Sequence, residues 1–275
     1  MKQRLLLLAF FLAAAPTASA QNAQPLQTSG LSVNDLKDVG IEQHVGGQIP
    51  GNLTFTDSSG QSVNFNELIA RKPTLLALVY YHCPNLCTLV LNATVESVAD
   101  LRRDVGDGFQ IVVVSIDPTE SPELAAQKKA VYLLRYSRGR NQDQEWSFLV
   151  GDEHNVRALT SAVGYRYRYD PAIHQYAHGS GIVMLNPQGR IVQYFLGIEY
   201  QPAGIEKAIH RAQAGEVGSP VDNFFLLCYC YNPLTGPYGF AISTALKLGA
   251  ALTVLGLAGF FVIQIRRESA PKEIP

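Results

Sequence analysis

The sequence predicts a mixed α/β domain, a sheet flanked by helices, with one C-terminal transmembrane helix. Three observations point there. Two near-continuous apolar runs, residues 73–81 (PTLLALVYY) and 109–116 (FQIVVVSI), have the pattern of central strands covered on both faces. Segments of helical period alternate with these and other strand-like runs, as in a mixed sheet with helical cover. An apolar stretch from about 240 to 265 supplies the roughly 20 residues that a bilayer span needs.

The elements follow in order. Residues 21–50 are mostly polar, broken by Gly40 and by Gly46-Gly47, and are expected as an extended lead-in. Residues 53–57 and 61–65 alternate around Ser58-Ser59-Gly60, a hairpin signal. The strand 73–81 leads into residues 84–103, whose apolar positions include Leu86, Val90, Ala93 and Leu101 at helical spacing. The second buried strand, 109–116, ends in Asp117-Pro118. Residues 121–136 read as a helix, with Pro122 suited to the first turn. Residues 146–150 form a short strand, and 152–163 a helix capped by Asp152. Residues 181–186 and 190–196 pair around Pro187-Gln188-Gly189, and 202–214 form the last helix of the domain. The thioredoxin-like fold is the leading candidate, over residues 51–215.

The two ends set the expected location. Met1-Lys2-Gln3-Arg4 precedes an apolar run too short to span comfortably, and Ala18-Ser19-Ala20 offers a cleavage site before Gln21. Residues 1–20 are therefore expected to be a signal peptide. No cysteine follows that site, which argues against a lipid anchor. An aromatic, cysteine-containing juxtamembrane segment (216–239) precedes the span at 240–265, and 266–275 form a tail that opens on Arg266-Arg267. The double arginine suits a cytoplasmic end, and Lys247 can snorkel to headgroups at the other. The domain would then sit on the periplasmic or extracytoplasmic side of the cell membrane as a single-pass protein. The formal net charge of -1 shows no basic surplus and gives no reason to expect nucleic acid.

Chemistry concentrates in Tyr80-Tyr81-His82-Cys83-Pro84-Asn85-Leu86-Cys87, where the first buried strand gives way to a helix. With Pro84 as the first helical residue, Cys83 would stand at or beside the N-cap, and the helix dipole would lower its thiol pKa. Cys87 lies four residues on. Such pairs hold their Cβ atoms about 5–6 Å apart, whereas a relaxed disulfide wants about 3.8 Å. A soft metal ion needs less closure, since sulfur approaches it to about 2.3 Å. The spacing accommodates disulfide and metal and leans towards metal; the plain alternative is two buried structural cysteines.

Two thiolates suit Cu(I), and one imidazole completes a three-coordinate site. Among the six histidines, His178 is expected in a loop just before the strand at 182–185, facing the cysteine turn, with His174 in the same loop as its rival. His82 would point to the other face, and His44, His154 and His210 read as surface residues. Asp117 reads as a turn residue, with a carboxylate near the site as the functional alternative. Cys228-Tyr229-Cys230 is open between a second soft-metal site and apolar side chains at a membrane interface.

Residues 53–214 resemble the Sco/SenC family of copper chaperones. The resemblance rests on Cys83-Pro84-Asn85-Leu86-Cys87, Val114-Ser115-Ile116-Asp117-Pro118, Trp146-Ser147-Phe148-Leu149, His178 and Asn186-Pro187-Gln188-Gly189. It implies copper held by Cys83, Cys87 and His178, and delivery to the dinuclear copper centre of cytochrome c oxidase, with the copper-receiving subunit as partner. Thr88 stands where many relatives have proline, and the tether is C-terminal where many relatives have an N-terminal one. The competing reading is a thiol-disulfide oxidoreductase or thiol peroxidase, with Cys83 as nucleophile and Cys87 as resolving thiol.

Overall fold

The computed structural model describes residues 30–31, 33–83, 86–139, 142–219, 227–228, 247–254, 256–257 and 260. The expected signal peptide, most of the juxtamembrane segment, much of the proposed span and the tail lie outside the described residues.

A short helix α1 (Val33–Leu36) and strand β1 (Gly40–Ile41) come first, then the hairpin β2 (Thr54–Asp57) and β3 (Ser62–Asn64). Asn64 caps helix α2 (Phe65–Ile69) by accepting from the backbone amides of Asn66 and Glu67. Strand β4 (Thr74–Val79) leads to helix α3 (Leu86–Ala99), and β5 (Gln110–Ser115) to helix α4 (Pro122–Tyr136). Every residue of β4 and β5 is buried, which is why both read as near-continuous apolar runs. Ser121 caps α4 and Pro122 opens it. Helix α5 (Gln142–Glu145), strand β6 (Trp146–Val150) and helix α6 (Glu153–Ala162), capped by Asp152, come next. After them the chain runs through β7 (Tyr165–Asp170), β8 (Gln175–Gly179), β9 (Gly181–Leu185), β10 (Ile191–Leu196), helix α7 (Pro202–Ala214) and β11 (Leu227–Cys228).

Among the described residues the strands form two sheets. The larger runs β10-β9-β4-β5-β6-β2-β3, with β4, β5 and β6 parallel and their other neighbours antiparallel. Helix α3 packs on β4 and β9, α7 on β9 and β10, and α4 on β6, so helices cover the mixed sheet as expected. The smaller sheet runs β1-β7-β8-β11, all antiparallel.

The β7–β8 hairpin was not expected from the sequence. It is entered through Gly164, whose φ of 64° suits glycine and where a side chain would collide with the backbone carbonyl of Glu42. Residues 40–49, expected as lead-in, are built into the domain. Gly40–Ile41 pairs with β7, and Ile41 and Ile49 are buried. His44, expected at the surface, is half-buried: its backbone amide donates to Tyr194 and its Nδ1 lies 3.1 Å from the carbonyl of Ala162.

No helix among the described residues is long and apolar enough to cross a membrane. Residues 247–254 are helical and carry exposed apolar side chains, Leu248, Leu252 and Val254.

Candidate metal centre

The centre lies where β4 ends. Ile116 extends the parallel ladder by donating to Val79, and the chain then leaves the sheet through Tyr80-Tyr81-His82-Cys83. The turn closes with the Cys83 amide 3.3 Å from the Tyr80 carbonyl. A single carboxylate holds this turn. Glu120 Oε2 accepts from the Tyr81 amide at 2.7 Å and from Ser115 Oγ at 2.6 Å. Glu120 Oε1 accepts from the His82 amide at 2.7 Å and lies 3.1 Å from His82 Nδ1. A carboxylate buried to this degree is tolerable only with its lone pairs filled, and here four donors surround it.

Sequence reasoning missed Glu120 and weighed Asp117, three residues earlier, in its place. Asp117 is the turn residue that the plainer reading expected, accepting from the backbone and hydroxyl of Thr119. Its charge also bears on Tyr176, whose phenol is pushed far up, first by burial and then by that carboxylate.

Helix α3 is described from Leu86 onwards, and Pro84 and Asn85, where the sequence places its start, lie outside the described residues. The two sulfurs converge. The ligand atoms of Cys83, Cys87 and His178 all lie within 4.8 Å of one another, the one such group among the described residues. All three residues are buried, and neither Cys83 nor Cys87 is in a disulfide.

His178 reaches the site from a strand, not from a loop. It sits on β8 opposite Tyr167 of β7. Its Nε2 is 3.0 Å from Cys87 Sγ. On the other side of the ring, Nδ1 lies 2.7 Å from the Gly179 carbonyl and 2.6 Å from Tyr165 Oη. A carbonyl oxygen only accepts, so Nδ1 carries the ring hydrogen and Nε2 presents its lone pair to the thiols. Tyr165 Oη also lies 2.8 Å and 3.1 Å from the carbonyls of Gly179 and Leu78, so its own hydrogen has acceptors besides the imidazole. Tyr80 packs edge-on against the same ring, with centroids 5.9 Å apart. Holding the far nitrogen is how proteins fix a ligating imidazole.

His174 is not part of this centre. It is exposed on the β7–β8 turn and faces Tyr169 Oη at 2.9 Å. Cys228 comes to the neighbourhood by backbone register alone, opposite His178 on the antiparallel pair of β8 and β11; Cys230 lies outside the described residues. Thr88 lines the hollow beside the thiols together with Tyr132 of α4. The Tyr132 phenol is pushed up chiefly by burial, with a smaller contribution from the sulfurs of Cys87 and Cys83.

The hollow beside the thiols, lined by residues that include Cys83, Cys87, Leu91 and Tyr132, has a volume of about 10 Å³. That is roughly the room for one water, enough for an ion and too little for an organic substrate. A larger groove of about 590 Å³, between the β2–β3 hairpin, β6 and α4, includes none of the three ligands.

The sequence profile of the SCO1/SenC family matches residues 42–213, more than half of the chain. A search of curated protein sequences gives no match. Two crystal structures of proteins from Aquifex aeolicus VF5 resemble the fold, one provisionally assigned to electron transfer and one to electron transport. The first shares 23% identity at a TM-score of 0.54, over 62% of this chain and 95% of the other. The second shares 22% at 0.51, over 62% and 99%. ScoI of Bradyrhizobium japonicum with copper bound shares 24% at 0.46, over 60% and 98%. At these identities the Aquifex likenesses establish the fold alone.

Proposed function

Since this chain belongs to the SCO1/SenC family, we propose that it is a copper metallochaperone, holding Cu(I) between Cys83, Cys87 and His178. The observation that carries the reading is the convergence of two thiols and one tautomer-fixed imidazole within 4.8 Å. Soft thiolates select Cu(I), and the imidazole accepts either oxidation state of copper. The ion is cargo, delivered to the dinuclear copper centre of cytochrome c oxidase. The domain works on the extracytoplasmic side of the membrane, tethered by the span at 240–265.

Anaerobic titration of the reduced full chain with Cu(I) tests the reading. Wild type should take up one ion, and Cys83→Ser or Cys87→Ser should abolish tight binding. His178→Ala should weaken it, and weaken Cu(II) binding most, because imidazole suits the harder ion better than thiolate does. His174→Ala should leave both unchanged. The same pair of nearby sulfurs could instead serve thiol–disulfide exchange, which needs no histidine ligand. If His178→Ala spared copper binding and instead removed a reductase or peroxidase activity, the chaperone reading would give way to the enzyme reading.

A further inference from the structure

The three proposed ligands are closed off from water: Cys83 is 3% exposed, Cys87 2% and His178 0%. A copper ion carried by a donor cannot meet all three in place at once, so some group nearer the surface has to take it first. His82, the residue before Cys83, has the opposite character, with a side chain 73% exposed.

An exposed side chain usually keeps its rotamer freedom, and fixing one costs entropy. The His82 ring is nevertheless held. Its Nδ1 lies 3.1 Å from Glu120 Oε1, and its backbone amide donates to the same oxygen at 2.7 Å. Glu120 is itself fixed by Ser115 Oγ and the Tyr81 amide on its other oxygen. A carboxylate oxygen accepts, so the ring hydrogen sits on Nδ1, and in the neutral ring Nε2 is left with a bare lone pair. An imidazole oriented by a buried carboxylate through one nitrogen is the arrangement in which histidines ligate metals through the other.

We infer that His82 Nε2 is the ligand that admits copper: it takes the ion at the surface, shares it with the adjoining Cys83 sulfur, and passes it to Cys83, Cys87 and His178. Release to the client runs the same path backwards. Each step is a ligand exchange, with one donor bond forming as another breaks and no electron moving. The thiol protons leave to solvent as the sulfurs bind. The inference rests on the copper role proposed for the buried triad.

The test separates rate from affinity. Reduced full-length chain is mixed anaerobically with the Cu(I)–bicinchoninate complex, and the loss of its colour is followed by stopped flow. A competition titration with the same chelator gives the equilibrium affinity. His82→Ala and His82→Gln should slow uptake by roughly tenfold or more. Affinity should stay within about twofold of wild type, so release must slow by the same factor as uptake. His82→Gln keeps a side-chain amide able to donate to Glu120 while lacking the ring nitrogen, so agreement between the two variants excludes a collapsed turn as the cause. His174→Ala, an exposed histidine elsewhere, should load at the wild-type rate. Unchanged uptake in both His82 variants would overturn the inference, as would lost affinity at an unchanged uptake rate, which would make His82 a resident ligand. Failure of wild type to bind Cu(I) would instead remove the proposed function itself.

Discussion

Tyr165 shows how much of a metal centre can rest on a residue that would never touch the metal. Its hydroxyl stands 2.6 Å from His178 Nδ1 and within reach of two carbonyls, so it fixes both the ring and the tautomer. Tyr165→Phe keeps the aromatic packing and removes that oxygen. Loss of such an outer partner costs about 10–100-fold in metal affinity, and Cu(I) competition titration should show a weakening in that range. Unchanged affinity would mean that the Gly179 carbonyl alone suffices to orient the imidazole. The sequence did signal this residue. Tyr165, Tyr167 and Tyr169 alternate with Arg166, Arg168 and Asp170, the period of a half-buried strand. The alternation is easily passed over because tyrosine and arginine both carry polar ends.

At the scale of elements, the buried parallel strands and their helices were legible because burial on both faces writes itself as apolar runs. The cysteine pair was legible because its strand-to-helix setting is local. The turn that holds the pair was not. The turn before Cys83, through Tyr81 and His82, is set by tertiary bonds to Glu120. Nothing near Glu120 in sequence reveals that it will be buried 39 residues from the backbone it clamps. Glu120→Gln should expose this dependence. An amide replaces one acceptor oxygen with a donor, so at least one buried partner is left facing a donor. That costs about 1–3 kcal/mol. Denaturant unfolding should show the loss, and alkylation of Cys83 should speed up as its turn loosens. A variant with wild-type stability and wild-type Cys83 reactivity would show that the turn is held by the strands alone.

For the molecule as a whole, the question is what would bring the copper-binding domain to the client proposed for it. The short strand β11, which precedes the proposed span in sequence, pairs with β8, the strand that carries His178. The chain therefore returns to the edge of the centre before it enters residues 240–265. If the client is a membrane protein, a tether at that end confines the search to the plane of the bilayer and raises the effective concentration of the centre near its target. The expectation is concrete. The protein should sediment with membranes, resist release by high salt, and come off in detergent. Apolar insertion is indifferent to ionic strength, whereas a charge-held peripheral protein is not. Intact-mass measurement of the extracted protein should fit a chain that begins at Gln21 and keeps its C-terminus. A truncation ending before residue 240 should appear in the soluble extracytoplasmic fraction and still bind one Cu(I), since all three ligands lie upstream. Salt-released full-length protein would remove the tether, and a mass that retained residues 1–20 would remove the cleavage before Gln21.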